Sequence, residues 1–92
     1  MDDKTIVGSV IHIDRFGNIV TNITADMAAD AVELMLSGRS ITERREFYAG
    51  AEPGKLFMIP GSAGFIEISL NSRSAAEWLK ATVGSPVTAI LK

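Results

Sequence analysis

Apolar and polar positions alternate along most of the chain, in short bursts separated by turn residues. From Thr5 to Ile13 the alternation is loose and β-branched residues dominate (Thr5, Ile6, Val7, Val10, Ile11, Ile13), as suits a pleated, half-buried strand. Asp14-Arg15-Phe16-Gly17-Asn18 interrupts it. Gly17 and Asn18 tolerate positive φ, so a hairpin turn is predicted, with Ile19 to Ile23 as the returning strand. Thr24 ahead of the Ala-rich run Ala25 to Asp30 reads as an N-cap opening one or two helical turns. Val32, Leu34 and Leu36 then alternate with Glu33 and Met35; Ser37-Gly38-Arg39 turns the chain, and Ser40 to Phe47 runs back as the second arm of a hairpin. Its Glu43, Arg44, Arg45 and Glu46 are expected to form a solvated face.

Ala49 to Lys55, with Gly50, Pro53 and Gly54, is a loop, and Leu56 to Ile59 a short apolar strand. Pro60-Gly61-Ser62-Ala63-Gly64 is a tight turn. Phe65 to Leu70 alternates cleanly, with Phe65, Glu67 and Ser69 on one face and Ile66, Ile68 and Leu70 on the other. Ser74 followed by Glu77 three residues on is a capping box that opens a short helix, with Trp78 and Leu79 expected on its buried side. Val87 to Leu91 is the closing strand. Some seven short strands with one or two short helices predict a mainly β domain, an antiparallel barrel or sandwich; parallel βαβ units need longer crossover helices.

Composition narrows the function more than the fold. Ninety-two residues hold one domain, 1–92. The chain is 47% apolar and 22% charged, an ordinary globular balance. Nine Lys and Arg against eleven Asp and Glu give a net charge of −2, which does not suggest a nucleic-acid surface. With no cysteine there is no disulfide, no thiolate metal site and no cysteine nucleophile, and the single histidine, His12, makes no histidine-rich metal site. No apolar run approaches the roughly 18 residues of a membrane span. The opening Met-Asp-Asp-Lys is too polar for a signal peptide, so a cytoplasmic location is expected. A mean hydropathy of +0.22 is high for so small a monomer and points to a partner surface.

No Ser-His-Asp set, phosphate loop or carboxylate pair at catalytic spacing stands out. The chain reads as a binding module rather than an enzyme, with no catalytic residue and no metal. Three loops set polar groups beside aromatics: Asp14 to Asn18, Phe47 to Gly50, and Gly61 to Phe65 with the strand that leads to Asn71 to Ala76. Carboxylate, amide, hydroxyl and aromatic face together suit a nucleoside with a charged tail.

The run Val10-Ile11-His12-Ile13-Asp14-Arg15-Phe16-Gly17-Asn18-Ile19-Val20-Thr21-Asn22-Ile23 resembles the motif that opens the C-terminal domain of the S-adenosyl-L-methionine (SAM) hydroxide adenosyltransferases, relatives of the SAM-dependent fluorinase and chlorinase. The resemblance continues, in order, through Phe47-Tyr48-Ala49, Pro53-Gly54, Gly61 to Ile68, Asn71 to Glu77 and Val83 to Val87. It implies a small antiparallel, Greek-key-like β-barrel that follows an N-terminal α/β domain absent from this chain. The active site would lie between that domain of one subunit and this domain of its neighbour in a homo-trimer. It also implies that Asp14 holds the ammonium of the methionine part, Phe16 and Asn18 line the adenosyl pocket, and Tyr48 stacks on adenine. Ser62 would bind the methionine carboxylate, and the backbone around Leu70 and Ser72 would read the adenine edge. Ala63 stands where halogenating relatives have arginine and hydrolysing ones often serine, and Leu70 where halogenating relatives have arginine; both favour transfer of hydroxide. The expected ligands are SAM and adenosine, SAM being substrate and no separate cofactor being needed. The competing expectation is a stand-alone, non-catalytic nucleoside-binding or oligomerisation module.

Overall fold

The computed structural model describes residues 4–45, 54–61, 63–71 and 73–92. Among them are seven strands and one short helix: β1 (Thr5–Ile13), β2 (Ile19–Thr24), β3 (Ala31–Leu36), β4 (Arg39–Ile41), β5 (Leu56–Pro60), β6 (Phe65–Leu70), α1 (Ala75–Leu79) and β7 (Pro86–Leu91). The strands form one antiparallel sheet in the order β4-β3-β7-β1-β2-β6-β5. Three hairpins, β1–β2, β3–β4 and β5–β6, are thus laid side by side, and β7 is slotted between the first two. Past β4 the chain swings to the far edge, where a parallel bridge from Arg44 to Met58 brings the sheet round to a nearly closed barrel. The bridge carries two backbone bonds, Met58 N–H to Glu43 O (2.9 Å) and Arg45 N–H to Met58 O (3.0 Å).

Alternation explains why these strands curl around one core. Val10, Ile19, Ile23, Leu34, Leu36, Ile66, Ile68, Val87 and Ala89 all turn inward and are almost fully buried. Thr21 is a polar exception inside: its Oγ1 donates to Ile66 O at 2.7 Å and accepts from Ile23 N–H at 3.2 Å, so its hydroxyl is used both ways. Phe57 and Ile59 form a separate buried cluster, on the other face of the sheet from Met58.

Four local expectations are corrected. Thr24 Oγ1 does accept from Met27 N–H at 3.1 Å, as an N-cap does, but residues 25–30 are successive turns and not a helix. The ladder of β3 with β7 begins at Ala31 and leaves too few residues to propagate a helix. β4 ends at Ile41, because the chain leaves β3 to reach β5; Glu46 and Phe47, expected in its continuation, lie outside the described residues. In the charged segment Arg44 does not point idly to solvent: its guanidinium donates to the carbonyls of Ala28 (2.6 Å), Ala29 (3.2 Å) and Ala31 (3.5 Å). Arg45 pairs with Glu43 at 3.2 Å. On α1, Ala75, Ala76 and Leu79 face the core, while Trp78 is half exposed with Arg39 and Arg73 over its ring.

Candidate functional site

A single carboxylate shapes the β1–β2 turn. Asp14 Oδ1 accepts from the backbone N–H groups of Phe16 (2.9 Å) and Asn18 (3.0 Å), and Oδ2 accepts from Asn18 Nδ2 (3.0 Å). Backbone bonds from Asp14 N–H to Asn18 O and from Gly17 N–H to Asp14 O close the turn. An aspartate bonding the N–H two residues on is the reason such turns favour this residue. Burial pushes the Asp14 carboxyl upward, but the hydrogen bonds from Asn18 and Phe16, with the field of nearby His12, outweigh it and hold the pKa below the ordinary aspartate value.

The turn is docked against α1. Gly17 is buried with φ +86, and a Cβ there would collide with Ser74 Oγ and Cβ. Gly17 O accepts from Ala76 N–H at 3.0 Å, and Ser74 Oγ accepts from Glu77 N–H at 3.1 Å. Only a residue without a side chain lets the turn approach the helix this closely.

Between turn and helix lies a cleft of about 440 Å³. Its most buried members are Phe57 and Ser69, each 1% exposed; Phe16, 67% exposed, and Arg73 stand outermost. Phe57 pairs across the ladder with Ser69, and Ile19 pairs with Ile68, so one step further along brings Asn18 beside Ser69. Phe57, Ser69 and Asn18 therefore form a cross-strand row of aromatic ring, hydroxyl and amide on the outside of the barrel. Leu70 and Asn71 line the cleft where β6 ends. None of the described lining residues is a carboxylate, histidine or lysine; the described walls offer aromatic faces, amides, hydroxyls and the Arg73 guanidinium.

Of the site residues expected from sequence, Phe16, Asn18 and Leu70 meet in this cleft from two separate stretches of chain. Asp14 lies behind Phe16 and Asn18 and fixes both. Tyr48, Ser62 and Ser72 lie outside the described residues. Phe57 and Ser69 also line the cleft, and the sequence reading assigns neither to it; Arg73 lines it too and lies in the Asn71 to Ala76 stretch already singled out. For Ser69 the available signal is its place on the Phe65–Glu67 face of β6; Phe57 sits in the apolar run Leu56 to Ile59, which carries no such signal.

Residues 8–88 match the SAM hydroxide adenosyltransferase C-terminal domain. The chain is 36% identical over 80 residues to an (R)-S-adenosyl-L-methionine hydrolase of Thermus thermophilus, a match covering 87% of this chain and 30% of that protein. Two solved structures share the fold. One is an uncharacterized conserved protein of Thermotoga maritima (TM-score 0.80, 26% identity, 98% of this chain and 37% of that one). The other is a conserved hypothetical protein of Thermus thermophilus (TM-score 0.79, 31% identity, 91% of this chain and 34% of that one). The chain thus spans about a third of the length of each.

Proposed function

The chain belongs to the family of SAM hydroxide adenosyltransferase C-terminal domains, and on that premise we propose that its cleft is the adenosyl-binding wall of an active site that hydrolyses SAM to adenosine and methionine. The observation that carries the reading is the meeting of Phe16, Asn18 and Leu70 in one cleft, beside the ring of Phe57 and the amide of Asn71. A flat polar ring with an apolar face fits such a lining.

In the proposed reaction a water oxygen attacks the ribose C5′ carbon. The C5′–S bond breaks with its electron pair passing to sulfur, which neutralises the sulfonium, and the water loses a proton. A sulfonium leaves without protonation, so the protein must chiefly position and desolvate the nucleophile. The barrel holds the base, and Asp14 takes the ammonium of the methionine part through the acceptor capacity that Asn18 leaves on Oδ2. Tyr48 stacks on adenine and Ser62 binds the carboxylate. The groups that activate water come from the N-terminal α/β domain of a neighbouring subunit in a trimer.

The test is titration with adenosine and SAM of this chain alone and of the chain joined to such an N-terminal domain. The single wall should bind adenosine weakly and turn nothing over, because tight pockets enclose some 70–90% of a ligand. The joined protein should bind tightly and hydrolyse SAM, and there Tyr48→Ala should weaken binding by about 1–3 kcal/mol. A joined protein that binds neither ligand would overturn the reading.

A stand-alone oligomerisation module is favoured by one observation, the exposed Val7 (73%) and Val32 (49%) on the opposite side of the barrel. Under that reading sedimentation gives a stable oligomer whose mass does not respond to adenosine.

A further inference from the structure

We propose that Ser69 is a specificity-determining residue of the cleft, its hydroxyl bonding the nucleoside half of the ligand; this rests on the adenosyl-binding reading of the cleft. Ser69 is 1% exposed, and its Oγ, shielded from water, has no hydrogen-bond partner among the described residues. Buried hydroxyls ordinarily find a partner, and this barrel follows that rule elsewhere. Thr21, just as buried and on the neighbouring strand, both donates and accepts. Even Ser74 and Ser85, only half-buried, accept from the backbone N–H groups of Glu77 and Thr82. The fold therefore satisfies these structural hydroxyls, while the one on the floor of the cleft finds no partner among the described residues.

The neighbours of Ser69 say which part of a ligand it meets. The ring of Phe57 lies on one side and the Asn18 amide on the other, with Leu70 next along β6. A neutral hydroxyl between an aromatic ring and an amide matches a neutral heteroatom, such as a base nitrogen or ribose hydroxyl, since it both donates and accepts. A charged ammonium or carboxylate would call for a full counter-charge. Turning the hydroxyl about Cα–Cβ toward the cleft breaks no hydrogen bond among the described residues.

The experiment follows adenosine and SAM binding to the isotope-labelled chain by NMR, which reads weak affinities, for the wild type and Ser69→Ala, with a thermal melt of each. The spectrum reports that the variant is folded. Ser69→Ala should weaken adenosine and SAM by the same factor, about threefold to tenfold, the worth of one net hydrogen bond. Its melting temperature should stay level or rise, because an unpaired buried hydroxyl has been removed. Unchanged affinity overturns the proposal, as does loss confined to SAM, which would put the hydroxyl on the tail. A fall in melting temperature alongside lost affinity also overturns it, since that marks a structural role. A wild type that binds neither ligand, alone or joined to the N-terminal domain, takes down the cleft reading itself, and Ser69 with it; a wild type that binds while Ser69→Ala binds equally well removes Ser69 alone.

Discussion

On the β3–β7–β1 side of the barrel the outward row is Met35, Thr88 and Val7; on the β2–β6–β5 side it is Asn18, Ser69 and Phe57. Inward, the two sides are alike, Leu34, Ala89 and Val87 on one meeting Ile19, Ile68 and Met58 on the other in a single core. Outward, the first is a plain strand surface with Val7 in water, whereas the second is sunk beneath the β1–β2 turn and α1 and holds the Ser69 hydroxyl. Stability is therefore a property of the inner face on both sides, and the cleft a property of one outer face. The same strand period writes both, because successive side chains point opposite ways.

The comparison breaks most visibly at glycine. Gly17→Ala combines positive φ with a Cβ in contact with Ser74, and should destabilise by about 2–4 kcal/mol and abolish adenosine binding. Gly38→Ala, at φ +74 on the other side with open space around it, should cost only about 1–2 kcal/mol and leave binding intact. Equal urea-unfolding losses would mean that docking of the turn on α1 contributes nothing.

Asp14 gives the next largest effect. Asp14→Asn keeps an oxygen for the Phe16 and Asn18 N–H groups, and the Asn18 amide can turn to accept from the new one. Adenosine affinity should hold within about twofold, while SAM affinity falls by about 1.5–3 kcal/mol, the worth of a charge-assisted bond. Calorimetry with both ligands separates the two roles; equal losses would confine Asp14 to shaping the turn.

Acid should loosen the cleft side at Asp14. The folded Asp14 pKa lies below its unfolded value of 3.8. Its contribution to stability is thus complete above that value and is lost as pH falls through the lower folded pKa. The stability gap between wild type and Asp14→Asn should accordingly narrow from about pH 5 downward. Amide signals of Phe16 and Asn18 should move in step. The smallest effect belongs to Val7→Thr, within about 0.5 kcal/mol in unfolding and without effect on adenosine.

Much of this is legible in the chain itself. β1 and β6 have the predicted bounds, and Ser74 caps α1 as the Ser-x-x-Glu spacing requires, because each depends on neighbours in sequence. The Thr24 turn keeps its capping bond and lacks its helix, since pairing of Ala31 with Leu91 decides where β3 begins. Trp78 departs from expectation for a similar reason: three other residues of α1 already fill the core. In the site, Phe16 and Asn18 are visible as turn residues, whereas Phe57 is not. Both faces of β5 are buried, so its run of apolar residues hides which one turns toward the cleft.

Strand β7 joins the β3–β4 hairpin to the rest of the sheet, with β3 on one edge and β1 on the other. Its pairing of Ile90 with Thr5 closes a loop of nearly the whole chain, and no local contact can stand in for it. The three hairpins can each form quickly, and β2 pairs directly with β6, but the β3–β4 hairpin joins the other two through the sheet only when β7 docks. Folding should therefore be paced by one long-range encounter, giving the slow, single-exponential kinetics of non-local β topologies, and changes at Val87 or Ala89 should slow refolding more than equal truncations at Met58 on the far edge.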